Sequence, residues 1–164
     1  MTEASENYLL AGGAAELERL QLQARVWEPE AEVMLDQIGL QARWQCLDLG
    51  CGAMGILGPL SRRAGPTGRV VGVDLDVRQL AAARAFLQKA GLHNVEIMEQ
   101  DAYHTGFPRQ SFDLVHVRFV FAPVGRDEDL LDEMVPRVAQ RDGTPGRTDL
   151  KAFFMVHGSS VMRR

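Results

Sequence analysis

The sequence predicts an α/β fold, a doubly wound and mostly parallel sheet with helices on both faces. Three observations carry that expectation. Short apolar runs at Cys46–Leu49, Val70–Val73 and Val95–Met98 are each followed within three residues by glycine or aspartate. Between them lie stretches whose apolar residues recur at three- and four-residue steps, the period of a helix buried on one side. A glycine-rich turn, Gly50-Cys51-Gly52-Ala53-Met54-Gly55, joins the first apolar run to the helix after it. Such an order of strands and helices is that of a Rossmann-like sheet, where ligands bind beyond the carboxyl ends of the strands.

Each element follows from local pattern. Leu17, Leu20, Ala24 and Trp27 form the apolar stripe of a first helix. A second begins at Pro29, which suits the first helical position, carries Val33, Met34, Leu35 and Ile38, and stops at Gly39. Ile56 to Ala64 reads as a helix and Gly65-Pro66-Thr67-Gly68 as a turn. Val70, Val71 and Val73 make a strand ending at Asp74. Asp76 and Gln79 have the spacing of a capping box, in which each side chain satisfies a backbone N–H at the helix start. That helix runs through Leu80, Ala83, Phe86 and Leu87 to Gly91. Val95 to Met98 is a third strand, Phe112 to Phe121 a fourth, and Asp127 to Ala139 a helix that contains Pro136.

Composition narrows the function classes. The 164 residues are 46% hydrophobic with a net charge of −4, enough for one domain with a core. A mildly acidic surface offers no footprint for phosphates, so nucleic acid is not expected as a partner. No apolar run reaches the roughly 18–20 residues needed to cross a bilayer. The polar, acidic start Met1-Thr2-Glu3-Ala4-Ser5-Glu6 is unlike a secretory signal. Cys46 and Cys51 match neither a disulfide framework nor a zinc site, which agrees with a reduced, cytoplasmic setting.

Taken alone, the spacing of Gly50, Gly52 and Gly55 also fits a dinucleotide fingerprint. Asp48, two residues before the first glycine, argues against that alternative because a carboxylate repels a pyrophosphate. The sulfonium and α-ammonium of S-adenosylmethionine (SAM) gain from the same charge. Asp48 also has a simpler reading as a solvated loop acid or helix cap.

The stretch CLDLGCGAMGILGPLSRRAGPTGRVVGVDLD, Cys46 to Asp76, resembles motifs I and II of class I SAM-dependent methyltransferases. VEIMEQDAYHTGFPRQSFDLVHVRFVF, Val95 to Phe121, is similar to their third and fourth strands. The lead-in from Tyr8 resembles small-molecule enzymes of the quinone-biosynthesis type. This resemblance, over residues 8 to about 140, implies a SAM site built residue by residue. The backbone of Gly50, Cys51 and Gly52 would pass beneath the methionine part, with Asp48 near its amino group. Asp74 would accept hydrogen bonds from both ribose hydroxyls, as an acceptor-only carboxylate can. Leu75 would pack against the adenine, Asp101 would accept from its amino group, and the Ala102 N–H would donate to the ring. Arg118 would lie beside the cleft, and Tyr8 would belong to a lid. Turn chemistry is the competing reading for Asp74 and Asp101, a structural role that for His104 and His116, and core filling that for Met54.

The implied activity is methyl transfer by in-line displacement to a small organic acceptor, which requires position and exclusion of water more than a metal or covalent nucleophile. Residues 1–40 would form an N-terminal helical lid segment, 41–140 the SAM-binding core and 141–164 an atypical tail. Two departures from the family pattern stand out. Ala53-Met54 replaces a small pair in the turn. Leu150 to Val156 serves as a fifth strand, with no residues remaining for strands six and seven of the usual seven-stranded sheet. The tail therefore reads as the product of a truncation or frame change. An exposed edge beside strand five would then invite self-association. The competing functions are a SAM-binding remnant without turnover and an NAD-dependent oxidoreductase.

Overall fold

The computed structural model describes residues 18–19, 21–118, 127–139, 151–156 and 159–163. Residues 21–26 are helical, and helix α1, Glu28–Ile38, follows after Trp27 alone. Hydrogen bonds from the Trp27 N–H to Gln23 and from the Ala31 N–H to Trp27 bridge the join. The two helices expected on either side of Pro29 are thus nearly continuous. Proline one residue into α1 removes no N–H that the first turn would have used. Gly39 closes α1 in the left-handed region, at φ 70°.

The remaining elements are β1 Gln45–Leu49, α2 Leu57–Ala64, β2 Arg69–Asp74, α3 Val77–Ala90, β3 Val95–Glu99, β4 Leu114–Arg118, α4 Asp127–Met134, β5 Lys151–Val156 and β6 Ser159–Arg163. They form one sheet in the order β3-β2-β1-β4-β5-β6, parallel from β3 to β5, with β6 antiparallel to β5. The order reverses between β1 and β4, so the crevice outside their carboxyl ends is the topological switch point where such folds take ligands.

Strand alternation divides the core. Cys46, Val70 and Leu114 face Leu35 and Ile38 of α1, Leu57 and Leu60 of α2, and Leu80 and Leu87 of α3. Leu47, Leu49, Val71, Val73, Val115 and Val117 face the other way, against Phe112, Leu130, Met134 and Val138. Helix α1 is therefore part of the core. Arg62 pairs with Glu28 and Glu32, and Arg63 with Glu32 and Asp36 at 2.6 and 2.5 Å, fastening α1 to α2.

Several expectations change on contact with the structure. The fourth strand is shorter than expected; Phe112 makes a separate bridge to Val138, and residues 119–121 lie outside the described ones. Pro136 does not sit inside a helix: α4 ends at Met134 and a 3-10 turn, Val135–Arg137, takes the proline at its start. The chain after β5 turns back into β6, a strand the sequence reading did not provide, so the outer edge is β6 rather than β5. Among the described residues, no helix is long and apolar enough to cross a membrane.

Candidate functional site

Cys51, Gly52 and Gly55 follow β1 as the chain turns toward α2, and Gly50, Gly52 and Gly55 all have positive φ, at 66°, 59° and 45°. A side chain at Gly55 has nowhere to go. Its Cβ would lie 2.5 Å from the Cys51 carbonyl oxygen and 2.8 Å from Asp48 Oδ2. Two successive N–H groups tie this turn to the end of β2. The Cys51 N–H donates to the Val73 carbonyl, and the Gly52 N–H donates to Asp74 Oδ2, both at 2.9 Å.

Asp74 is half-buried, and its other oxygen accepts the Asp76 N–H at 2.9 Å. Each carboxylate oxygen has more than one lone pair, so both retain acceptor capacity. The Asp76 N–H is thereby spent, and the capping box expected from the sequence is only half formed. Asp76 caps α3 by accepting from the Arg78 and Gln79 N–H groups, but the Gln79 side chain returns to the Asp76 carboxylate instead of its N–H. Burial works to raise the Asp76 pKa, and the hydrogen bonds from Arg78 and Gln79 outweigh it, leaving it below the usual value. Leu75, between the two aspartates, is 63% exposed, a large apolar side chain standing free at the strand end.

Asp48 lies beneath the turn and is 2% exposed. Parallel register sets it beside Gly72 on β2 and His116 on β4. His116 Nδ1 is 2.7 Å from Asp48 Oδ1, and His116 is itself buried. Among the described residues, neither Asp48 Oδ2 nor His116 Nε2 has a hydrogen-bond partner. Sequence reasoning missed this pair. The available signal was a histidine in the middle of the apolar run Leu114-Val115-His116-Val117, but only the strand register showed what it faces.

The Asp101 loop is organised differently. Asp101 Oδ1 accepts the Tyr103 N–H at 2.9 Å, and Oδ2 lies 3.0 Å from Nδ1 of the exposed His104. Turn chemistry, the competing reading, thus engages both oxygens. Ala102 is buried. The loop is anchored from below: Glu133 on α4 accepts from the Thr105 N–H (3.0 Å) and hydroxyl, and is held by Arg137 at 3.0 Å. Met54 is half-buried beside Ala24 and Ala31 rather than in the core, a place taken by Ala53. Arg118 ends β4, opposite Met155 of β5. Tyr8 lies outside the described residues.

The structure therefore gathers Asp48, Gly50, Cys51, Gly52, Asp74 and Leu75 at the carboxyl ends of β1 and β2. Gln100 donates its N–H to the Asp74 carbonyl at 3.0 Å, which brings the Asp101 loop next in line. This set fits SAM on three counts: a buried carboxylate oxygen without a partner suits a cation, the glycine turn leaves room for close approach, and an exposed leucine suits a flat ring. The thiols of Cys46 and Cys51 are pushed well above the usual range, first by burial and then by nearby carboxylates, Asp113 and Asp48 for Cys46 and Asp48 and Asp74 for Cys51, which disfavours the reactive thiolate.

Solved structures share this architecture. A SAM-dependent methyltransferase from Aquifex aeolicus superposes with a TM-score of 0.70 at 23% identity, over 85% of this chain and 69% of that one. One from Methanococcus maripaludis gives 0.72 at 16% identity, over 88% and 62%. The fold is that of Rossmann-like methyltransferases. A methyltransferase domain family matches residues 46–143, and the chain belongs to it. Among curated relatives, aklanonic acid methyltransferase DauC of Streptomyces sp. (strain C5) is 37% identical over 93 residues, 52% of this chain and 42% of that protein. Demethylmenaquinone methyltransferase of Lactobacillus johnsonii is 32% identical over 101 residues, 61% and 41%. The chain spans under half the length of these curated relatives.

Proposed function

We propose that this chain binds SAM across the glycine turn and serves methyl transfer to a small organic acceptor in the cytoplasm. The observation that carries this reading is a carboxylate on either side of the turn, Asp48 beneath it and Asp74 at its rim. Asp48 would hold the α-ammonium, and Asp74, already oriented by two backbone N–H groups, would accept the ribose hydroxyls. The Gly50-Cys51-Gly52 backbone would pass beneath the methionine part, and Leu75 would cover one face of the adenine. Asp101 would reach the adenine amino group, Ala102 would offer its N–H, and Arg118 would border the cleft. SAM supplies a methyl group on sulfonium, open to in-line displacement by the acceptor. The protein's share is orientation and exclusion of water. Of residues 1–40, the stretch ahead of α1 would serve as the lid segment, since α1 itself packs in the core; 41–140 would be the cofactor core and 141–164 the tail, and the outer edge of β6 is the place for self-association.

A binding remnant without turnover is the second reading. Calorimetry with SAM and with NAD tests the first. SAM is expected to bind and NAD not to, while NAD binding without SAM overturns the assignment. Asp74→Ala is expected to weaken SAM at least tenfold, since two hydrogen bonds to a charged group are lost. An acceptor-panel methylation assay then separates an enzyme from a remnant.

A further inference from the structure

We propose that His116 is a positioning residue: it locks the Asp48 carboxylate so that Oδ2 alone is presented to the α-ammonium of SAM. This rests on the reading that the glycine turn binds SAM.

The pair occupies the switch point itself, Asp48 on β1 and His116 on β4, in the last row on that face where all three central strands pair. The row beneath it on the same face, Val70, Cys46 and Leu114, is apolar and buried. Stability alone would favour apolar residues in the next row too, because taking a carboxylate and its partner out of water costs much of what their contact regains. A carboxylate accepts only, so the Asp48–His116 contact requires the proton on Nδ1. Nε2 then has no donor role, which matches its burial without a partner among the described residues. Held at Oδ1, the carboxylate cannot turn about its axis. Oδ2 is left facing Gly55, the residue whose Cβ would lie 2.8 Å away. Oδ2 is buried as the turn stands, and the absence of a side chain at Gly55 keeps a Cβ from being wedged against it.

Calorimetry on two ligands tests this: SAM, and 5′-methylthioadenosine, which keeps the nucleoside and sulfur but lacks the amino-acid arm. His116→Leu is expected to weaken SAM at least tenfold and to change the nucleoside less than twofold. His116→Asn, whose amide N–H falls near the place of Nδ1, is expected to restore SAM to within threefold. If the leucine variant does not fold, His116→Gln replaces it, since its amide reaches toward Nε2 and away from Asp48. Equal losses for both ligands, an unchanged SAM affinity, or an asparagine variant no better than the others overturns the inference while the SAM reading stands. Wild-type protein that binds neither ligand overturns both.

Discussion

The two faces of the sheet are built from the same three central strands and end differently. On the face toward α4, the rows Val71–Leu47–Val115 and Val73–Leu49–Val117 are apolar up to the strand ends. On the face toward α1, α2 and α3, an apolar row is followed by Gly72–Asp48–His116. One face is spent wholly on packing. The other gives up the last row that all three strands share to a buried carboxylate and to the glycine that lets a neighbouring loop come close. Among the described residues, the difference sets a buried acid–histidine pair on one face of the sheet and none on the other.

That contrast can be broken from the polar side first. Asp48→Ala leaves the His116 Nδ1–H buried without its acceptor and is expected to cost about 1–3 kcal/mol of stability, along with most SAM affinity. Replacing both residues, Asp48→Leu with His116→Leu, is expected to recover the stability and not the binding. Thermal melts beside calorimetry read the two effects separately, and a double variant as unstable as the single one would mean the row is needed for folding. On the apolar face, Leu47→Ala opens a cavity costing about 2–5 kcal/mol and leaves the SAM affinity of the folded protein unchanged. Denaturant unfolding and calorimetry check it.

Smaller effects sharpen the comparison at its boundary. Gly55→Ala forces a Cβ against the Cys51 carbonyl at positive φ, costing about 1–3 kcal/mol and weakening SAM by crowding Asp48 Oδ2. Asp76→Ala removes the α3 cap, at about 1 kcal/mol near neutral pH. Because the folded pKa of Asp76 is lowered, its contribution is complete above the ordinary carboxylate range and is lost as pH falls through the lowered value. The wild-type and Asp76→Ala unfolding curves should therefore converge in acid, and a constant gap between them would remove the electrostatic account.

Much of this was legible beforehand. Strand ends at Leu49 and Asp74, the third strand to within one residue, the glycine stops at Gly39 and Gly91, and the clustering of Asp48, Asp74 and the glycine turn all follow from periodicity and turn chemistry. The misses differ in kind. The place of Pro136, the turn back into β6 and the exchange of Ala53 for Met54 in the core are settled by packing, and the Asp76 cap by a nearby carboxylate that local pattern did not weigh. Asp74 took the N–H that Gln79 was expected to satisfy.

By itself the sequence determined which segments alternate, where the chain turns sharply and which carboxylates stand at strand ends, because backbone sterics and hydrophobic period act over a few residues. Only the tertiary structure decided what those carboxylates face. Asp48 and His116 are 68 residues apart, and nothing local joins them. The parallel register of β1 on β4 does, since a shift of one residue would turn one of the pair to the opposite face and dissolve the contact.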